Sequence, residues 1–181
     1  MNILDMLTNK DNAAVIGQIA RQFGLPEDKA KEAIGALAPS LTRGLQHHTK
    51  ENIGVDDLIE ALNSGKHSKY LDEPERLGKK ETVKDGEAIL GHILGNKEVS
   101  RSVAKDAAAK TGLGSTLMKK MLPVVASIVM AQLGKKVLGG TSGGPATRSS
   151  SGGLLTSLLD SDNDGSMIDD VLGMAFKMAF R

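Results

Sequence analysis

The stretch Asp160-Ser161-Asp162-Asn163-Asp164-Gly165-Ser166 sets carboxylates on alternate positions and follows them with a glycine. Calcium takes six to eight oxygen ligands, and the EF-hand loop supplies carboxylates from its first, third and fifth positions, with Gly sixth for the sharp turn. Asp160, Asp162, Asp164 and Gly165 match that half, and Ser166 would offer its backbone carbonyl as the seventh. The twelfth position, where a bidentate acid closes such a loop, is Val171, which cannot ligate. Asp169 and Asp170 come earlier, so a shortened loop would close on Asp169, with Asp170 beside it. A second reading needs no metal. Asp, Asn, Gly and Ser are turn residues, and Ser166-x-x-Asp169 is a capping box for a helix that follows. The two are compatible, because a calcium loop leads into a helix. Calcium is the one cofactor the sequence suggests.

The elements around this loop decide what it could control. After it, "SMIDDVLGMAFKMAFR" places Ile168, Val171, Leu172, Ala175, Phe176 and Ala179 on one side of an amphipathic C-terminal helix, with Met167, Met174 and Met178 nearby. Such a helix docks on its own body, on a second copy or on a protein partner. Lys177 and Arg181 are too few cations for a membrane-surface helix. Before the loop, "GGTSGGPATRSSSGG" reads as a flexible Gly/Ser linker over 139–153. Its Gly140-Thr141-Ser142-Gly143-Gly144 matches the G-x-S-x-G nucleophile elbow in letters only. The elbow needs a strand before the serine, a helix after it, and a placed His and acid. No catalytic residue is expected there.

Composition limits the remainder. Phe23, Phe176, Phe180 and Tyr70 are the only aromatic residues, so the core must come from Leu, Ile, Val, Ala and Met, which predicts an all-α protein. The absence of cysteine excludes disulfides, thiolate metal sites and thiol nucleophiles, and fits a cytoplasmic, reducing location. The start, "MNILDMLTNKD", carries Asp5 in its apolar stretch and no basic leader, so no secretory signal is expected. The apolar run Met121 to Leu133 is too short to span a bilayer and contains Pro123, which predicts a buried helix and no membrane span. The formal charge is +1, yet the residues from Leu154 onward hold −3 and leave +4 to the rest. With so little net charge and so few aromatic residues, nucleic acid is an unfavoured partner.

Two stretches repeat each other: "ILDMLTNKDNAAVIGQIARQFGL" from Ile3 and "ILGHILGNKEVSRSVAKDAAAKTGL" from Ile89. Asn9 and Asn96 suit helix N-caps, and Gly24 and Gly112 suit left-handed C-terminal positions. Val15, Ile16, Ile19, Ala20 and Phe23 form a helical stripe. A helix with an internal proline follows each repeat, at Pro39 and Pro123, where a kink or a break is predicted. "VDDLIEALNSG" reads as a short helix with Asp56 and Asp57 near its start and Gly65 beyond its end, and the polar stretch from Lys66 to Gly86 as a connector. The expected organisation is a helical body over 1–138, made of two similar units at about 1–63 and 86–138, then the linker 139–153 and the tail 154–181.

The block "DGEAILGHILGNKEVSRSVAKDAAAKTGL", with the Leu-Pro helix behind it, resembles the YidB-like family of bacterial domains of unknown function. The resemblance covers roughly Met1 to Leu138. It implies a small all-helical, homeodomain-like fold and no established activity.

Ala20-x-x-x-Gly24-Leu25 also resembles the turn of a helix-turn-helix, and Ser115, Thr116, Lys119 and Lys120 are the better-placed residues for a nucleic-acid contact. The apolar run behind them argues for burial instead. His47 and His48 point about 100° apart on a helix and make no metal pair, while His67 and His92 stand alone. Glu27, Asp28, Glu32, Glu73, Glu75 and Glu81 read as solvated charges, and no site for a small-molecule substrate is evident. The reading is a non-enzymatic interaction or self-assembly protein, with nucleic-acid binding as the alternative.

Overall fold

A helix without a polar face has none to give to water, so the run Met121–Leu133 has to be enclosed by other elements. In a computed structural model, which describes Leu7, residues 12–50, residues 60, 62 and 67, and residues 69–139, every residue of that run is buried. The described residues form α1 (Ala13–Phe23), α2 (Glu27–Lys50), α3 (Lys69–Asp72), a 3-10 turn (Pro74–Gly78), α4 (Lys80–Leu94), α5 (Lys97–Thr111) and α6 (Ser115–Gly139). Among them there is no strand, and the fold is all-α. The apolar run is the middle of α6, and α2, α3, α4 and α5 pack around it, while α1 lies on α2 and on the 3-10 turn. Asn9, expected to cap the helix that ends at Gly24, lies outside the described residues, and that helix starts at Ala13 with Asn12 before it. Of the expected first helix at Ile3 only Leu7 is described, and of the helix of Asp56 and Asp57 only Glu60 and Leu62, all three helical. The linker beyond Gly139 and the whole tail lie outside the described residues.

Helix ends follow the sequence closely. Gly24 has φ 64°, its N–H reaches the Arg21 carbonyl, and the Leu25 N–H reaches the Ala20 carbonyl at 2.8 Å, a Schellman closure. Gly112 has φ 69° and bonds the Ala108 carbonyl at 2.9 Å, the simpler left-handed closure. The Asn96 side chain accepts from the Val99 N–H at 2.9 Å and caps α5 as predicted. At α1 the preceding residue is Asn12, and its side chain makes no cap. Instead its Oδ1 accepts from Gln132 Nε2 at 2.7 Å, a buried bond between the start of α1 and α6.

The prolines correct the expectation of a break. Both α2 and α6 run on through Pro39 and Pro123. A mid-helix proline costs about 3 kcal/mol, and burial on either side outweighs it: Leu37, Ala38 and Leu41 flank Pro39, and Leu122 and Val124 flank Pro123. The polar stretch from Lys66 to Gly86 carries α3, the 3-10 turn and the first turns of α4, because Tyr70 and Leu77 anchor it with 1% and 0% of their surface exposed.

Two glycines set how near the helices come. A methyl group on Gly86 of α4 would sit 2.0 Å from the Pro123 carbonyl oxygen of α6, and one on Gly44 of α2 would sit 2.5 Å from Ile93 Cγ2 of α4. At the first crossing the Ser127 hydroxyl shares its proton between the Thr82 carbonyl of α4 at 3.1 Å and the Pro123 carbonyl at 3.2 Å. The approach is backbone to backbone. By contrast, Gly91 on the same helix has open space where a Cβ would be.

Gly86→Ala is therefore expected to destabilise the protein by about 2–3 kcal/mol through overpacking, whereas Gly91→Ala should gain up to about 1 kcal/mol from helix propensity. Urea unfolding of both variants checks this, and equal effects would contradict the crossing.

Candidate functional site

The candidate calcium ligands Asp160, Asp162, Asp164, Ser166, Asp169 and Asp170, and the elbow-like Ser142, lie outside the described residues. Among the described residues no three His, Asp or Glu side chains gather in a way that could hold a metal. Glu27, Asp28, Glu32, Glu73, Glu75 and Glu81 are exposed, as the reading of solvated charge expects, and so are His47 and His92.

Among the described residues, a tight cluster of titratable groups is built on α3 and α4. Tyr70 donates its hydroxyl proton to Asp85 Oδ2, Lys69 Nζ stands 3.6 Å from the same oxygen, and it lies 4.9 Å from the centre of the Tyr70 ring. Burial first, then the Asp85 carboxylate, pushes the Tyr70 hydroxyl well above its ordinary pKa, so it stays a proton donor. The His67 ring is 6.3 Å away, and its Nδ1 is buried without a hydrogen-bond partner. These contacts pin α3 to α4.

A site with room for a ligand lies elsewhere among the described residues. Three elements enclose a cleft of about 560 Å³: the second half of α4, the first turns of α5 and the α6 segment around Pro123. Helical spacing brings each set of residues to one side. From α4 come Glu87, Leu90 and Gly91, from the turn Gly95 and Asn96, from α5 Lys97, Ser100 and Arg101, and from α6 Lys119, Leu122 and Pro123. Leu90, Leu122 and Pro123 supply an apolar floor. Gly95, at φ 76°, turns the chain sharply enough that α4 ends and α5 begins two residues apart, so the N-terminus of α5 opens on the cleft.

The rim is cationic. Lys97, Arg101 and Lys119 are exposed, face one carboxylate, Glu87, and form no ion pair among the described residues. Lys97 and Arg101 stand four residues apart on one helix and repel each other, and the positive end of the α5 dipole adds to the field. The Ser100 hydroxyl donates to the Asn96 carbonyl at 3.2 Å, inside its own helix. Chemically, the arrangement can hold an anionic group and bury apolar side chains next to it. Of these residues, the sequence singles out Lys119 for nucleic acid, Asn96 as a cap and Pro123 as a kink or break. Lys97, Arg101 and Glu87 were missed, although i, i+4 cations directly after a Gly-Asn turn are a signal the sequence does carry.

The helix-turn-helix candidate also has a place. Its second helix would be α6, of which Ser115, Thr116, Lys119 and Lys120 are exposed before the unbroken buried run starts at Met121. Within α6, the segment Ser115–Val137 is, among the described residues, the one helix long and apolar enough to cross a membrane by length and composition, and 83% of its apolar window is buried in the fold.

These features define a bundle of helices wrapped around one apolar helix, with a basic, half-apolar cleft at the α4–α5 turn. The chain belongs to DUF937, a family of bacterial proteins of unknown function, whose family model matches residues 5–136. YidB is a member, so the resemblance read from the "GHILG" block holds. No curated protein and no solved structure matches the chain.

One pH dependence follows from the α3–α4 cluster. Burial, assisted by Lys69 and opposed by Asp85, holds the His67 pKa below its ordinary value of 6.5. The unfolded chain therefore takes up the proton first, so the stability due to the neutral ring is complete above about pH 6.5 and is lost as pH falls below it. Urea midpoints from about pH 7 to about pH 5 should fall more steeply for the unaltered chain than for His67→Asn. Parallel slopes would contradict this.

Proposed function

We propose that the protein is a non-enzymatic helical interaction module whose cleft between α4, α5 and α6 holds an acidic, partly apolar peptide segment. The carrying observation is the set of three exposed cations, Lys97, Arg101 and Lys119, around the apolar floor of Leu90, Leu122 and Pro123. Exposed ion pairs contribute only about 0.2–1 kcal/mol each. The apolar contact gives the affinity, and the cations select the acidic segment and orient it.

The finer architecture belongs to the same reading. Two three-helix units, each with its last two helices joined by a left-handed glycine and a leucine and the last bearing a proline, are proposed as a duplicated homeodomain-like body. Gly24 with α1 and α2, and Gly112 with α5 and α6, support it. The tail carries the responsive part: Asp160, Asp162, Asp164, Asp169 and the Ser166 carbonyl are proposed calcium ligands, with Asp170 beside them. A nucleic-acid ligand is less favoured, because α6 could present only its first turns to a groove.

A fluorescent synthetic peptide with Asp and Glu on one helical face and Leu on the other serves as the probe. Lys97→Glu/Arg101→Glu should weaken its binding by about tenfold or more, given two exposed charge pairs. Undiminished binding by the variant, or preference for a duplex DNA probe, removes the reading. For the tail, calorimetric titration of calcium into metal-stripped protein is expected to give saturable heat that Asp162→Ala/Asp164→Ala loses. No heat up to millimolar calcium would leave the acidic run as a turn and helix cap.

A further inference from the structure

We infer that the occupant of the cleft is the chain's own acidic segment, residues 154–181, docked in cis. This rests on the peptide-binding reading and names the peptide.

Charge is the first argument. The segment holds Asp160, Asp162, Asp164, Asp169 and Asp170 against Lys177 and Arg181, five carboxylates within eleven residues. The cleft presents Lys97, Arg101 and Lys119 against Glu87. Polarity is the second. Behind the acids come Ile168, Val171, Leu172 and Phe176, and behind the cations of the cleft lie Leu90, Leu122 and Pro123. Each side therefore offers a charged part next to an apolar one.

Reach is the third argument. At 1.5 Å per residue, Pro123 and Lys119 lie about 24 Å and about 30 Å back along α6 from Gly139. Residues 140–153 can extend at most about 46 Å, and a Gly/Ser-rich chain of that length has a typical span of about 21 Å. The tether covers the distance with slack and is close to the length at which local concentration peaks, on the order of millimolar. A second copy at micromolar concentration competes poorly with that. The protein thus covers its own binding surface, and an outside acidic ligand must displace the segment.

The cysteine-free chain allows a clean test. In the full-length protein, Ser157→Cys carries the only nitroxide label, and amide signals of the body are read by NMR with the label oxidised and then reduced. The expected result is loss of the Gly91, Gly95, Lys97 and Arg101 signals, reversed on reduction and abolished by Lys97→Glu/Arg101→Glu. Asp160→Asn/Asp162→Asn/Asp164→Asn, which leaves the helical body untouched, should weaken the loss as well.

Signal loss that occurs only when labelled chains are mixed with separate isotope-enriched chains would mean that a second copy supplies the segment, and would overturn docking in cis. No loss in either arrangement overturns it too. In that case the synthetic acidic peptide separates the two readings. If it still shifts the Lys97 and Arg101 amides, the cleft stands without its proposed occupant, and if it does not, both readings fall.

Discussion

The structure depends on one close contact between backbones. Gly86 of α4 lies directly on the Pro123 carbonyl of α6, and no side chain fits between them. α6 has no polar face along its middle, so it needs neighbours on every side, and a helix carried at backbone distance encloses it better than one held off by side chains. The Ser127 hydroxyl, bonded to the carbonyls of Thr82 and Pro123, ties the same crossing with polar contacts. Gly44 then lets the Ile93 side chain and carbonyl at the far end of α4 press against α2. α4 is held between two helices by two absent side chains.

The cleft is a product of that geometry. Beyond the crossing at Gly86, α4 runs on to Leu94 and the chain turns at Gly95 into α5. The cleft between α4, α5 and α6 is lined by Leu90 and Leu122 and by the cations Lys97, Arg101 and Lys119. Gly91 faces open space and adds no bulk to the wall. The "GHILG" block, which carries the family resemblance, is therefore the wall of the cleft and the hinge of its turn.

Much of this was legible in the sequence where the signal is local. Gly24 and Gly112 end helices because only glycine takes a positive φ cheaply, and Asn96 caps because a short side-chain carbonyl reaches the first turn. The stripe of Val15, Ile16, Ile19 and Ala20 points inward as its spacing says. Illegible were the features decided by partners distant in the chain. Asn12 gave up a cap for a bond to Gln132, and the prolines stayed inside continuous helices because burial around them outweighed a lost hydrogen bond. Tyr70 and Leu77 looked like residues of a polar connector until the core they fill was known. Lys97, Arg101 and Glu87 were common surface charges until three helices put them around one cavity.

The bond between Asn12 and Gln132 also has a meaning in time. Its two ends are separated by 120 positions, and the helix that holds Gln132 is the last described element to be made. At a synthesis rate of about 5–20 residues per second, α1 waits roughly 6–24 s for the partner that closes its start. During that interval the faces of α2 and α4 destined for α6 have nothing to cover them. The nascent chain thus stays sticky until α6 is made, and the helix that ends the exposure is the one that carries the apolar run Met121–Leu133.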